Sequence, residues 1–177
     1  KLADFDVAAY GRRLTALAEH CSDFGVPLTF HHHMGTAVEH EAEIDQLMSH
    51  TGEAVNLLLD TGHLLFAGGD NAAVIAKYGS RINHVHTKDI RMDVLASINK
   101  QSRSFLDSVL DGVFTVPGDG IIDYDDIMHC LAEVGYEGWA IIEAEQDPIK
   151  ANPLEYAKIG YDALVSSATK AGFEIID

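Results

Sequence analysis

Four short apolar runs, each leading into side chains that bind metals or carry protons, restrict what this chain can fold into more than any other feature. Residues 26–30 run into His31-His32-His33, and residues 55–59 into Asp60-Thr61-Gly62-His63. Residues 82–89 carry His84, His86 and Lys88, and residues 139–143 end in Glu143, with Glu145 and Asp147 just beyond. The run Val55-Asn56-Leu57-Leu58-Leu59 is apolar on both faces, as a parallel strand covered by helices should be. Helical spacing recurs between the runs. Tyr10, Leu14, Leu17, Cys21 and Phe24 mark a first helix capped by Asp4 or Asp6, and Ile44, Leu47 and Met48 a second. Val74, Ile75 and Tyr78 mark a third, Ile127, Leu131 and Val134 a fourth behind Asp123, and Tyr156, Ile159 and Leu164 a last one behind Asn152-Pro153. Residues 92–110 read as a broken, polar helical insertion over the site. A helix followed by four strand-helix units implies a parallel sheet with right-handed crossovers. Polar residues at the C-terminal strand ends favour an α/β fold of the (β/α)8 barrel kind, whose sites lie on that face.

A complete barrel of this kind needs about 250 residues. The 177 residues here are therefore expected to form one domain, residues 1–177, covering about the last four β/α units, with the N-terminal half absent from the chain. Because the chain starts at Lys1 rather than Met, its true N-terminus is expected upstream. Two raw sheet edges then need covering, by upstream strands or by a second copy in a homo-oligomer.

Charge and cysteine usage narrow the function classes. Lys plus Arg number 12 and Asp plus Glu 28, a net charge of −16. That balance disfavours nucleic acid or an anionic membrane as partner. No apolar run approaches the roughly 20 residues of a membrane helix, and no secretory signal is visible. Cys21 and Cys130 fall in helical patterns, so reduced, buried thiols and a cytoplasmic location are expected.

Side chains alternate along a strand, so His31 and His33 share a face while His32 points away. One ligand per strand end, from His31, Asp60, His86 and Glu143, can surround a single ion. Mixed imidazole and carboxylate donors suit Mn²⁺ or Co²⁺ first, with Zn²⁺ or Fe²⁺ as alternatives, and disfavour Ca²⁺ and Mg²⁺. Each residue alone has a bland explanation: a satisfied core histidine, an aspartate capping the next turn, a glutamate paired with lysine. Together, four unpaired titratable groups at buried strand ends would carry large desolvation costs. By parity with His86 and Glu143, Lys88 and Glu145 also face the site, unless they form a surface salt bridge with each other. His33 and His63 are further proton carriers.

Asp-Thr-Gly-His at 60–63, His-Val-His-Thr-Lys-Asp at 84–89 and the apolar run into Glu143 resemble the xylose-isomerase-like TIM barrel superfamily. His-His-His-Met-Gly-Thr at 31–36, the run from Asp60 to Asp70, Phe-Thr-Val-Pro-Gly-Asp-Gly at 114–120 and Glu-Ala-Glu-Gln-Asp-Pro at 143–148 resemble, more narrowly, its inosose dehydratase family. The resemblance runs over nearly the whole chain. It implies metal ligands at Asp60, His86 and Glu143, with His31 at a position that usually holds glutamate and His33 as its competitor. His63 matches the superfamily's substrate-side histidine. It further implies a hydro-lyase of inositol catabolism that converts 2-keto-myo-inositol, a polyol ketone, to a trihydroxycyclohexane-1,2-dione. The reaction would lose an α-proton through a metal-stabilised enediolate and then the β-hydroxyl, with Lys88, Glu145, His33 and His63 as the catalytic candidates. The competing enzyme is a metal-dependent keto-sugar isomerase or epimerase, disfavoured by histidine at position 31. The non-enzymatic alternative is an inactive half-barrel fragment that binds only metal or a partner.

Overall fold

The computed structural model describes residues 5–99 and 103–176. Asp6 Oδ1 accepts the Ala9 amide and starts α1 (Val7–Asp23); Asp4, the other candidate cap, lies outside the described residues. After α1 come β1 (Leu28–His31), α2 (Glu41–Ser49) and β2 (Val55–Asp60). Asp60 then does two things at once: it ends β2, and its Oδ1 accepts the His63 amide at 2.8 Å to start the short α3 (Thr61–Phe66). Asp70 caps α4 (Asn71–Tyr78) in the same way, through the Ala72 and Ala73 amides. Such caps satisfy helix N–H groups that have no partner within the helix.

β3 (Ile82–His86) is shorter than the pattern of residues 82–89 predicts. The Thr87 N–H and hydroxyl both donate to the Ile141 carbonyl, at 2.7 and 3.0 Å. The chain then leaves the sheet, and β4 (Asp89–Ile90) pairs antiparallel with β5 (Phe114–Thr115). Between β4 and β5 lie α5 (Met92–Ser97) and α6 (Phe105–Asp111), the expected broken insertion. α7 (Tyr124–Glu133), capped by Asp123, precedes β6 (Trp139–Ile141), and Asn152 caps α8 (Pro153–Lys170). β6 too is shorter than predicted: Glu143 lies beyond its end.

The main sheet is parallel throughout, in the order β1-β2-β3-β6. Its covered face is sealed by Ile44 and Leu47 of α2, Ile75 of α4 and Leu131 of α7, all fully buried against Leu57, Leu59 and Val85. A second cluster, built from Met34, Phe66, Ile90, Val113 and Phe114, sits under the insertion. Thr29 and His31, then Asn56, Leu58 and Asp60, then His84 and His86 alternate onto the opposite face, where polar groups gather toward the C-terminal strand ends.

Among the described residues no strand pairs with the outer edge of β1 or of β6. On the β6 side Trp139 is 71% exposed, and on the β1 side Phe24 is 72% exposed and Val26 63%. The stripe expected to bury α1 is divided: Leu14 packs on the core, while Tyr10, Leu17 and Phe24 point outward. Two unpaired strand edges beside exposed apolar side chains form a template for association. Residues 1–177 in isolation are accordingly expected to self-associate, as light scattering on a sizing column would record. A cooperative monomer of 19.2 kDa would contradict this. Among the described residues no helix is long and apolar enough to cross a membrane.

Candidate metal and proton-transfer site

The four residues expected at the strand ends are linked through Asp60. Asp60 Oδ2 is fully buried and lies 3.5 Å from His31 Nε2 and 3.5 Å from His86 Nδ1. His86 Nδ1 in turn lies 2.7 Å from Glu143 Oε2. None of these four atoms is aligned for a hydrogen bond: His31 Nε2, Asp60 Oδ2, His86 Nδ1 and Glu143 Oε2 are all buried without such a partner. Orphaned buried polar atoms are rare and costly. Four that converge, two from imidazoles and two from carboxylates, have the donor chemistry of a divalent transition-metal site. Asp60, His86 and Glu143 lie close enough to hold one ion, as do His31, Asp60 and His63. The residues present fit the group.

A second group adjoins the first. His33, His63 and Glu145 also cluster, and Lys88 joins them. Lys88 is fully buried; its Nζ donates to Glu145 Oε2 and lies 3.0 Å from His63 Nε2. The same ammonium stands 3.3 Å from Asp60 Oδ2 and 3.3 Å from Glu143 Oε2, so it links the two groups. Lys88 and Glu145 therefore face the site as expected, and their pairing is inside the protein rather than on its surface. The expected reason does not hold, because both lie past the ends of their strands. Glu145 reaches inward with φ of 42°, the left-handed region, which no other described non-glycine residue adopts. Strain of this kind persists where the surroundings enforce it, and it concentrates at functional sites.

Position 33 differs from position 31. The His33 Nδ1–H donates to the Met34 carbonyl at 2.8 Å, leaving Nε2 facing Glu145 Oε1 at 3.9 Å. His33 thus stands with the proton carriers and His31 with the metal-type quartet. His32 points to the other face, where its Nε2 accepts the Asp60 amide at 3.2 Å. Burial pushes its imidazole down to about 3, so it stays neutral and keeps that acceptor.

Charge in the site is balanced by contact. Burial alone would raise the Asp60 carboxyl, but His31, His86 and the Lys88 charge hold it well below the usual carboxylate range. Burial likewise opposes charge on Lys88, and Asp60, Glu145 and Glu143 overcome it and raise its ammonium. Glu145 is held low against its burial by His33, His63 and Lys88. Burial pushes His63 down, consistent with a ring that accepts the Lys88 proton donor at Nε2.

Four supporting residues escaped the sequence reading. The Thr61 hydroxyl lies 2.7 Å from the Lys88 carbonyl, which the Tyr124 hydroxyl reaches at 3.0 Å, and the two hydroxyls lie 2.8 Å apart. Gly62 makes room for the lysine stem: a Cβ there would stand 2.7 Å from Lys88 Cγ. Phe105 of α6 closes the top, with its ring 5.0 Å from that of His33 and 5.9 Å from that of His63. Thr61 and Gly62 sit inside the Asp-Thr-Gly-His motif, a signal that could have found them. Tyr124 and Phe105 reach the site from distant segments and leave no local trace.

The family model described as xylose isomerase-like TIM barrel matches residues 4–166. The chain belongs to the xylose isomerase-like TIM barrel family. Solved structures agree with the architecture at low identity, which bears on the fold alone. One is a structure titled as IOLI protein with a binding zinc atom (TM-score 0.65, 21% identity), and the match covers 92% of this chain and 55% of that one. Another is the probable 3-DHS dehydratase AsbF of Bacillus anthracis (TM-score 0.68, 18% identity), with 92% and 59% covered.

Among curated family relatives, the rhizopine catabolism protein MocC of Rhizobium meliloti is 54% identical over 167 residues, covering 94% of this chain and 51% of that protein. An inosose dehydratase of Clostridium beijerinckii is 53% identical over 145 residues, covering 81% and 49%. The chain spans about half the length of the curated relatives it matches.

Proposed function

We propose that the protein containing this chain is a metal-dependent hydro-lyase that dehydrates 2-keto-myo-inositol to a trihydroxycyclohexane-1,2-dione. The observation that carries the reading is the junction of two groups at the strand ends: four ligand atoms without hydrogen-bond partners beside a Lys88–His63–Glu145–His33 cluster. The inosose dehydratases at 47–53% identity support the substrate and the reaction. Free thiols at Cys21 and Cys130, half-buried rather than buried as expected, accord with a cytoplasmic enzyme.

His31, Asp60, His86 and Glu143 would hold the metal, with Mn²⁺ or Co²⁺ proposed first and Zn²⁺ or Fe²⁺ as alternatives. Bound there, it would supply a Lewis acid that polarises the substrate ketone. Reach divides the protein's own groups. Glu145 and His33 keep 23% and 26% of their side chains exposed, so a substrate can touch them. Their roles are to take the α-proton and to return a proton to the departing β-hydroxyl. Lys88 and His63 have fully buried side chains, and they hold the Glu145 carboxylate in place and in its charged form. Phe105 shields the cluster from water.

An isomerase or epimerase would use the same metal chemistry but return the proton to carbon. Product analysis separates the two. Full-length protein given 2-keto-myo-inositol and Mn²⁺ is expected to generate a conjugated, enolised dione with new ultraviolet absorbance. Turnover of ketohexoses with no response to the inosose would overturn dehydration.

A further inference from the structure

Lys88 stands inside the group of ligand oxygens. Its ammonium is fully buried and stands 3.3 Å from Asp60 Oδ2 and 3.3 Å from Glu143 Oε2, the two oxygens assigned above to the metal. We propose that Lys88 is a built-in counter-ion of the metal quartet, competing with the metal for these two oxygens and so lowering the affinity of the site. The inference rests on the metal assignment made above and adds a role for the lysine distinct from proton transfer.

The geometry leaves Lys88 little freedom to withdraw. Gly62 lies under its stem, and the Phe114 ring lies 5.3 Å from Nζ. The Thr61 and Tyr124 hydroxyls fix its backbone carbonyl. A divalent ion entering the quartet therefore meets a fixed positive charge, with little water between them to screen the repulsion. The same charge has the opposite effect when no metal is bound. Asp60, Glu143 and Glu145 all lie within 3.3 Å of Nζ, and removing one partner of a buried ion pair leaves the others uncompensated. Lys88 thus keeps the pocket assembled without metal, at the expense of tighter binding once metal arrives.

The two effects have opposite signs, which makes the idea testable without any activity measurement. Mn²⁺ is titrated calorimetrically into chelator-treated full-length protein, and melting is recorded with and without Mn²⁺. Lys88→Met is expected to bind Mn²⁺ about ten- to a hundredfold more tightly than wild type, from the loss of one nearby like charge. Its metal-free form should melt below that of wild type. Lys88→Gln, which keeps a hydrogen-bond donor for the carboxylates, should show the same gain in affinity with a smaller loss in melting temperature. A variant that folds only with Mn²⁺ present gives the same answer. Equal or weaker Mn²⁺ binding by the folded variants overturns the proposal. So does a failure of both variants to fold that Mn²⁺ does not repair. Wild-type binding that survives Asp60→Ala would instead remove the metal assignment itself.

Discussion

Glu145→Gln in the full-length protein is expected to lower kcat on 2-keto-myo-inositol by about two to four orders of magnitude, the usual contribution of a general acid or base. The substitution keeps the size of the side chain and removes the charge. It leaves Lys88 without its closest carboxylate, and an amide cannot take the α-proton. Because glutamine keeps the size of the side chain and can still accept a hydrogen bond from Lys88, KM is expected to move much less than kcat. Steady-state kinetics checks this. A loss confined to KM would mean that Glu145 only positions substrate, and unchanged kinetics would remove it from the reaction.

Local pattern made much of this arrangement legible. Val55–Asp60 reads as a buried strand because Val55, Leu57 and Leu59 fill one face and Leu58 the middle of the other, and its terminal aspartate stands out against that background. His31, Asp60 and His86 could be placed together because alternation fixes which strand residues share a face. The same rule failed where strands stop. His84, His86 and Lys88 keep the alternation going, yet β3 ends at His86. There Thr87 turns to the Ile141 carbonyl and β4 pairs with β5, a contact set by residues 25 or so positions downstream. Alternation carries Lys88 to the same face as His86, but the strand that this presumes ends at His86. α3 was missed because Thr61-Gly62-His63-Leu64-Leu65-Phe66 is a short, weakly helical stretch started by the Asp60 side chain. The choice between His31 and His33 turned on one hydrogen bond, from His33 Nδ1 to the Met34 carbonyl, and spacing does not encode it.

Asp60 is the residue on which the metal assignment stands. Its carboxylate lies near both His31 and His86, its Oδ2 is buried without a hydrogen-bond partner, and its Oδ1 is committed to the His63 amide. Removing it takes away a negative charge that the remaining ligands cannot replace, and it leaves Lys88 and His86 facing an incoming cation. The most direct test is elemental analysis of full-length wild type and Asp60→Ala after dialysis against metal-free buffer, with circular dichroism to establish that both are folded. One equivalent of a divalent transition metal per chain is expected in wild type and almost none in the variant. Full metal occupancy in folded Asp60→Ala would contradict the account.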